Sequence, residues 1–259
     1  MPTPRRRPAV RSIVRRVLVV VAGVFFGFAG LLVIEVLMAR GGPNLPGYSR
    51  DELDGLIGAG PGQPLRVTWI GDSTGQGVGA SSPEHALPRL VARGLGRPVE
   101  LAVLAKSGAR VSDVLAHQLP LLESTRPQWV FVGIGGNDVT HLTSRGAFRT
   151  AIEKLLDGVA AVHPDHVIVL GIGEFASTPR FAQPLRFIAG VRGHQLDTDL
   201  RNAANRHGDL YVDIAGRIGP DFVRDPLRNH SVDRFHPSDA GYELWARATL
   251  AAISEARYR

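Results

Sequence analysis

Residues 67–79 read V-T-W-I-G-D-S-T-G-Q-G-V-G, an apolar run that ends in a burst of glycines around one acid and one hydroxyl. Three architectures place glycines at the end of a strand, and this stretch discriminates among them. In a dinucleotide site the glycines open directly at the strand end. Gly75-x-Gly77-x-x-Ala80 has the spacing, but Gly71 to Thr74 intervene. A phosphate-binding P-loop needs Gly-Lys-Ser/Thr, which is absent. Gly71-Asp72-Ser73-Thr74-Gly75 matches the G-x-S-x-G nucleophile elbow, but that elbow sits on a strand deep in its sheet. Here the serine follows the first strand read in the domain. What remains is a serine nucleophile in another α/β hydrolase architecture, which requires a base, an orienting acid and oxyanion donors elsewhere in the chain.

The surrounding pattern supplies the scaffold. Leu65–Ile70, Val99–Val103, Trp129–Ile134, His166–Gly171 and Asp209–Ile214 are short apolar runs bounded by turn residues. Continuous apolar runs of this kind mark strands buried on both faces. Helical spacing fills the gaps at Glu84–Leu95, Val111–Leu122, Phe148–Val162 and Val191–His207, and again at Ala240–Ala256. The alternation predicts an α/β fold, a parallel sheet with helices on both faces. Its ligand belongs at the carboxyl ends of the strands.

Those loops carry the remaining groups. Asp233-Arg-Phe-His236-Pro237 precedes the last helix. An imidazole takes the proton of a serine hydroxyl, and a carboxylate on its other nitrogen fixes the tautomer. The competing account makes Asp233 a helix cap, although Ser238 and Asp239 are better placed for that. A metal alternative, His230-x-x-Asp233-x-x-His236, has suitable residue types, but proline follows at once and no helix presents them. Gly108 follows the second strand, and Gly135-Gly136-Asn137-Asp138 follows the third. A glycine lets a backbone N–H approach a ligand, and an Asn amide offers two uncharged donors to an oxyanion. A plain turn at Gly108 and an Asx turn at Asn137-Asp138 are the competing readings.

At these residues the sequence resembles the SGNH, or GDSL, hydrolase superfamily. Its four blocks correspond to Gly71-Asp72-Ser73, Gly108, Gly135-Gly136-Asn137-Asp138 and Asp233-x-x-His236, in family order. The resemblance implies a three-layer α/β/α sandwich, flavodoxin-like, with about five parallel strands. It implies Ser73 as nucleophile, His236 as base then acid, and Asp233 as orienter. The oxyanion hole it implies comprises the Ser73 and Gly108 N–H groups and the Asn137 side chain, with Asp72 and Asp138 supporting. Thr74 replaces the usual Leu, and Ala105-Lys106-Ser107-Gly108 lacks the family's frequent upstream Asn. The implied function is an esterase acting on a small-molecule, lipid or glycan ester through an acyl-enzyme, without metal or cofactor. An envelope acyltransferase sharing that acyl-enzyme and a non-catalytic binding module are the alternatives.

Outside this domain the chain has a different character. Residues 1–40 hold seven arginines against the single acid Glu35, while the rest balances 23 basic and 23 acidic side chains. The net charge of +6 therefore belongs to the N-terminus, and the neutral domain lacks the footprint of a nucleic-acid binder. There is no cysteine, which excludes disulfides and thiolate chemistry. Val17 to Met38 is apolar except for Glu35, long enough to cross a bilayer and longer than a signal-peptide core. It reads as an uncleaved signal anchor, with cleavage near Leu37-Met38-Ala39 as the alternative. The arginines before it predict a cytoplasmic N-terminus over residues 1–16 and a single-pass protein whose domain lies outside. Residues 39–64 read as a Gly/Pro-rich linker with one helical turn around Asp51–Ile57, and residues 65–259 as the hydrolase domain. Residues 173–193 read as a substrate-facing insertion. Its Phe175, Phe181 and Phe187 are candidates for an acyl pocket, against simple core packing.

Overall fold

The computed structural model describes residues 9–257, with side chains for residues 12–256. Arg5, Arg6 and Arg7 of the expected cytoplasmic end lie outside the described residues. In chain order the elements are α1 (Ala9–Arg40), α2 (Arg50–Leu53), β1 (Gly55–Ile57), β2 (Leu65–Gly71), α3 (Leu87–Gly94), β3 (Val99–Val103), α4 (Val111–His117), α5 (Leu119–Leu122), β4 (Trp129–Gly133), α6 (Gly136–Thr140), α7 (Arg145–Ala160), β5 (His166–Leu170), α8 (Leu185–His207), β6 (Leu210–Val212), α9 (Ile214–Arg224), α10 (Pro226–Asn229) and α11 (Asp239–Arg257).

The strands form one sheet in the order β1-β3-β2-β4-β5-β6. Five are mutually parallel, and β1 joins the edge antiparallel to β3. Strand periodicity divides the core in two. Val67, Trp69, Phe131, Ile168 and Leu170 point into one layer with α3, α9 and α11. Ile70, Val130, Val132 and Val169 point into the other, with α4, α7 and α8. Trp69 stacks flat on Phe131 at 4.7 Å across the β2–β4 pair. The expected three-layer architecture is present.

Local chemistry moved several boundaries. The helical stretch expected over Val111–Leu122 is broken at Gln118, because Pro120 cannot donate to a preceding turn. The helix expected from Val191 begins at Leu185, so the second half of the 173–193 insertion is helical. Helix α9 accommodates Pro220 and follows β6 so closely that no pattern separated the two. The stretch expected as a linker contributes α2 and β1, and its Leu53 and Ile57 are buried against the sheet. Asp54 fixes it, its carboxylate accepting the Val103 N–H at 2.7 Å. Two apolar residues among glycines and prolines leave too little period to register as a strand.

Helix α1 meets the domain near its C-terminal end, through Glu35 and Ala39. Within Ser12–Arg40 the most apolar 18 residues have a mean hydropathy of 2.9 and are unburied, and this is the one helix among the described residues long and apolar enough to cross a membrane.

Candidate active site

The turn after β2 is forced by contact with β4. Gly71 has φ +146°, and a Cβ there would lie 1.9 Å from the Gly133 carbonyl oxygen. Only glycine fits, and the Asp72 N–H then donates to that same carbonyl. Gln118, buried at the α4–α5 break, clasps Gly71 from the other layer. Its Oε1 accepts the Gly71 N–H and its Nε2 donates to the Gly71 carbonyl, both at 2.8 Å. Nothing in the sequence marked Gln118, since it falls inside an expected helix.

The turn presents Ser73 to the loop before α11. His236 Nε2 lies 3.0 Å from Ser73 Oγ, and His236 Nδ1 lies 2.6 Å from Asp233 Oδ2. The other Asp233 oxygen accepts the N–H groups of Phe235 and His236 at 2.9 and 3.0 Å. Burial alone would push the Asp233 carboxyl up. The His236 imidazole and these backbone donors outweigh it and hold the group below the ordinary carboxylate range. Asp233 does not cap α11: Ser238 Oγ takes the Gly241 N–H, and Asp239 is held by Ser81.

The opening glycines now have a cause. Gly79, at φ +96°, passes so close to the His236 loop that a Cβ would sit 2.5 Å from the Pro237 carbonyl. Tyr242 of α11 anchors the same turn by donating to the Val78 carbonyl at 2.6 Å. The Ser73 turn and the His236 loop are thus packed backbone to backbone.

Asn137 stands at the start of α6 and lines the same cleft as Ser73 and His236. One of its amide N–H groups donates to the Ala109 carbonyl at 3.0 Å. Its neighbour Asp138 accepts the Val111 N–H, at the first turn of α4. The pair laces the loop after β4 to the loop that carries Gly108. Gly108 itself is exposed, at φ +82°, and is not among the residues lining the cleft. Burial raises Asp138, against the Val111 N–H bond that it accepts.

Asp72 faces inward. Its Oδ1 accepts both the N–H and the hydroxyl of Thr74 at 3.0 and 2.9 Å, which accounts for a threonine at the position where the family has Leu. Burial raises Asp72 to about 6; the Thr74 bonds and the nearby His236 oppose the rise.

The cleft holds about 790 Å³ counting its open mouth and is walled by Phe175, Ile214, Phe222, Phe235 and Trp245. Phe175, Phe181 and Phe235 pack on one another with ring centres 5.7–6.2 Å apart. Phe187 is on α8, 66% exposed, and is no part of this wall. His230 lines the cleft too, but its Nδ1 donates to the Pro226 carbonyl at 2.8 Å, and burial lowers its pKa. His230, Asp233 and His236 do not converge; among the described residues no group of His, Asp or Glu could hold a metal ion.

Residues 69–244 match the GDSL-like lipase/acylhydrolase family, over more than half of the chain. The chain belongs to that family. Solved structures with the same fold include an alpha/beta hydrolase enzyme from the metagenome of Lake Arreo, 24% identical over 73% of this chain and 95% of that one, with a TM-score of 0.59. A phospholipase A1 from Streptomyces albidoflavus is 23% identical over 74% and 99% of the two chains, TM-score 0.58. An acetylxylan esterase from Geobacillus stearothermophilus is 21% identical over 74% and 95%, TM-score 0.54. No curated protein matches the sequence. The family membership makes this a GDSL-type hydrolase of the esterase and lipase class.

Proposed function

We propose that the domain is a serine esterase that forms its acyl-enzyme on Ser73, with His236 as general base and Asp233 as orienter. The observation that carries this reading is the continuous chain Ser73 Oγ–His236–Asp233, with contacts of 3.0 and 2.6 Å. With Asp233 accepting from Nδ1–H, Nε2 is left as the lone pair that faces the serine hydroxyl. Ser73 attacks the ester carbonyl as His236 takes its proton. The same imidazole then protonates the departing alcohol. Water, deprotonated by His236, releases the acid and restores Ser73. The oxyanion is received by the second Asn137 N–H and by the Ser73 N–H, Asn137 being held in place by its bond to Ala109. None of these steps draws on a metal or cofactor.

Helix α1 is read as a single-pass signal anchor, with the arginine-rich end in the cytoplasm and the domain outside. Its length and hydropathy support this.

The test is hydrolysis of p-nitrophenyl acetate, butyrate and octanoate by the full chain in detergent, beside Ser73→Ala. The reading expects activity in the parent and none above background in the variant. Equal rates in both would remove Ser73 from the reaction.

A further inference from the structure

Glu35 is the one charge in the apolar stretch Val17–Met38, and it is buried although Val33, Ile34, Leu37 and Met38 around it are exposed. Its Oε2 accepts the N–H of Leu185 at 2.8 Å. Leu185 is the first residue of α8, whose preceding Pro184 supplies no side-chain cap. A carboxylate from α1 therefore occupies the positive end of a 23-residue helix. Ala29, Leu32, Val36 and Ala39, on the same face of α1, are partly covered as well. A second clamp sits just beyond. Arg180 donates to the Ala39 and Pro43 carbonyls at 2.6 and 2.8 Å, and reaches the Asp233 carbonyl at 3.5 Å. One guanidinium thus joins the end of α1 to the acid–base loop.

These bonds fix the height of the domain against a bilayer spanned by α1. Glu35 lies three residues before Met38, about 4.5 Å along the helix axis. The first turn of α8 is then within about 5 Å of the end of the apolar stretch, at the boundary of hydrocarbon and headgroups, a zone about 5–7 Å deep on each side. On that part of α8, Phe187, Ile188 and Val191 share one face and are 66%, 38% and 43% exposed. Leu142, 73% exposed, lies in the loop that Arg192 of α8 ties to this helix by donating to the Val139 and Thr143 carbonyls on either side of it. Three exposed apolar side chains on one helix face, with a fourth on the loop tied to that helix and α1 bonded to its first turn, are a surface built for contact.

We propose that the domain does not swing on its anchor but is seated on the bilayer through Phe187, Ile188, Val191 and Leu142, with the Glu35–Leu185 bond and Arg180 as the rigid joint. The occupant of this face is the lipid headgroup–acyl boundary of the membrane that α1 crosses. The inference rests on the reading of α1 as a membrane span.

The chain's lack of cysteine makes the test direct. Full-length Phe187→Cys and Val191→Cys, with Leu227→Cys of α10 as an exposed apolar reference, are spin-labelled and reconstituted in phosphatidylethanolamine–phosphatidylglycerol liposomes. Collision with a water-soluble nickel chelate is expected to be several-fold lower at 187 and 191 than at 227. Glu35→Leu, which keeps the anchor apolar, is expected to restore access at 191. It is also expected to slow hydrolysis of a long-chain ester dissolved in the bilayer several-fold, while hydrolysis of soluble p-nitrophenyl butyrate is unchanged. Labels at 187 and 191 as accessible as at 227, in protein that resists alkaline carbonate extraction, overturn the seat alone. Protein released by carbonate overturns the membrane span and the seat with it. Loss of the soluble-ester activity in Ser73→Ala reports separately on the esterase reading.

Discussion

Asp233→Asn changes one atom and, by the geometry here, reverses the direction of the hydrogen bond that matters. Asp233 Oδ1 is held by two backbone donors, the N–H groups of Phe235 and His236. An asparagine must keep its oxygen there, because turning its amide to face them would set donors against donors. Its NH2 then meets His236 Nδ1, where a carboxylate oxygen lay at 2.6 Å. The imidazole answers by accepting at Nδ1 and carrying its proton on Nε2, 3.0 Å from Ser73 Oγ. In that tautomer it donates to the serine and cannot take its proton. The active tautomer is reached only by placing Nδ1–H against the amide donors, and the imidazolium formed in the reaction loses a charge-assisted bond of about 1.5–3 kcal/mol. The corresponding change in a serine protease triad costs about 10⁴-fold in turnover, which is about 5.5 kcal/mol of barrier. A loss of that order is expected here in p-nitrophenyl butyrate hydrolysis at neutral pH. Stability carries a second signature. The Asp233 carboxyl is held below its ordinary range, so its stabilising contribution is present above the unfolded-state value and vanishes as pH falls through the folded-state one. Thermal melts should show the variant less stable at neutral pH and equal to the parent in strong acid. A folded Asp233→Asn variant with a tenth or more of the parent's activity would refute the tautomer argument.

Asn137→Ala removes the proposed oxyanion donor and is expected to lower turnover about 100- to 1000-fold; a change in KM alone, by steady-state kinetics, would reassign it to substrate binding. Asp72 is raised to about 6 from 3.8, so the folded state binds its proton more tightly and the ionised group costs about 3 kcal/mol above pH 6, a cost that disappears below the ordinary value. Asp72→Asn is therefore expected to raise the melting temperature at pH 8 and leave it unchanged near pH 3; no pH dependence would contradict the assignment. Gly79→Ala places a methyl group against the Pro237 carbonyl at a positive φ, and is expected to cost about 1–3 kcal/mol, read as a fall in melting temperature together with activity.

The parallel sheet was legible because each buried strand is a closed run of apolar residues between turns. Ser73, Asp233 and His236 were legible as candidates because they fall at strand and helix boundaries in a fixed order. What escaped reading was held by contacts between distant segments. Gln118 is an ordinary helix residue until Pro120 breaks the helix and Gly71 needs both a donor and an acceptor. Strand β1 is three residues long and exists through its pairing with β3 and the Asp54–Val103 bond. Phe187 had the composition of a pocket residue, but helical phase turned it outward. Glu35 read as a charge near the end of an apolar run, and only the fold supplies the helix end that accepts it.

The most direct measurement of the central claim is covalent capture of the nucleophile. Full-length protein in detergent is treated with a fluorophosphonate, digested, and mapped by mass spectrometry. One adduct is expected, on the peptide bearing Ser73, absent in Ser73→Ala and strongly slowed in His236→Ala. A folded protein that takes no adduct, or takes it on another serine, would contradict it.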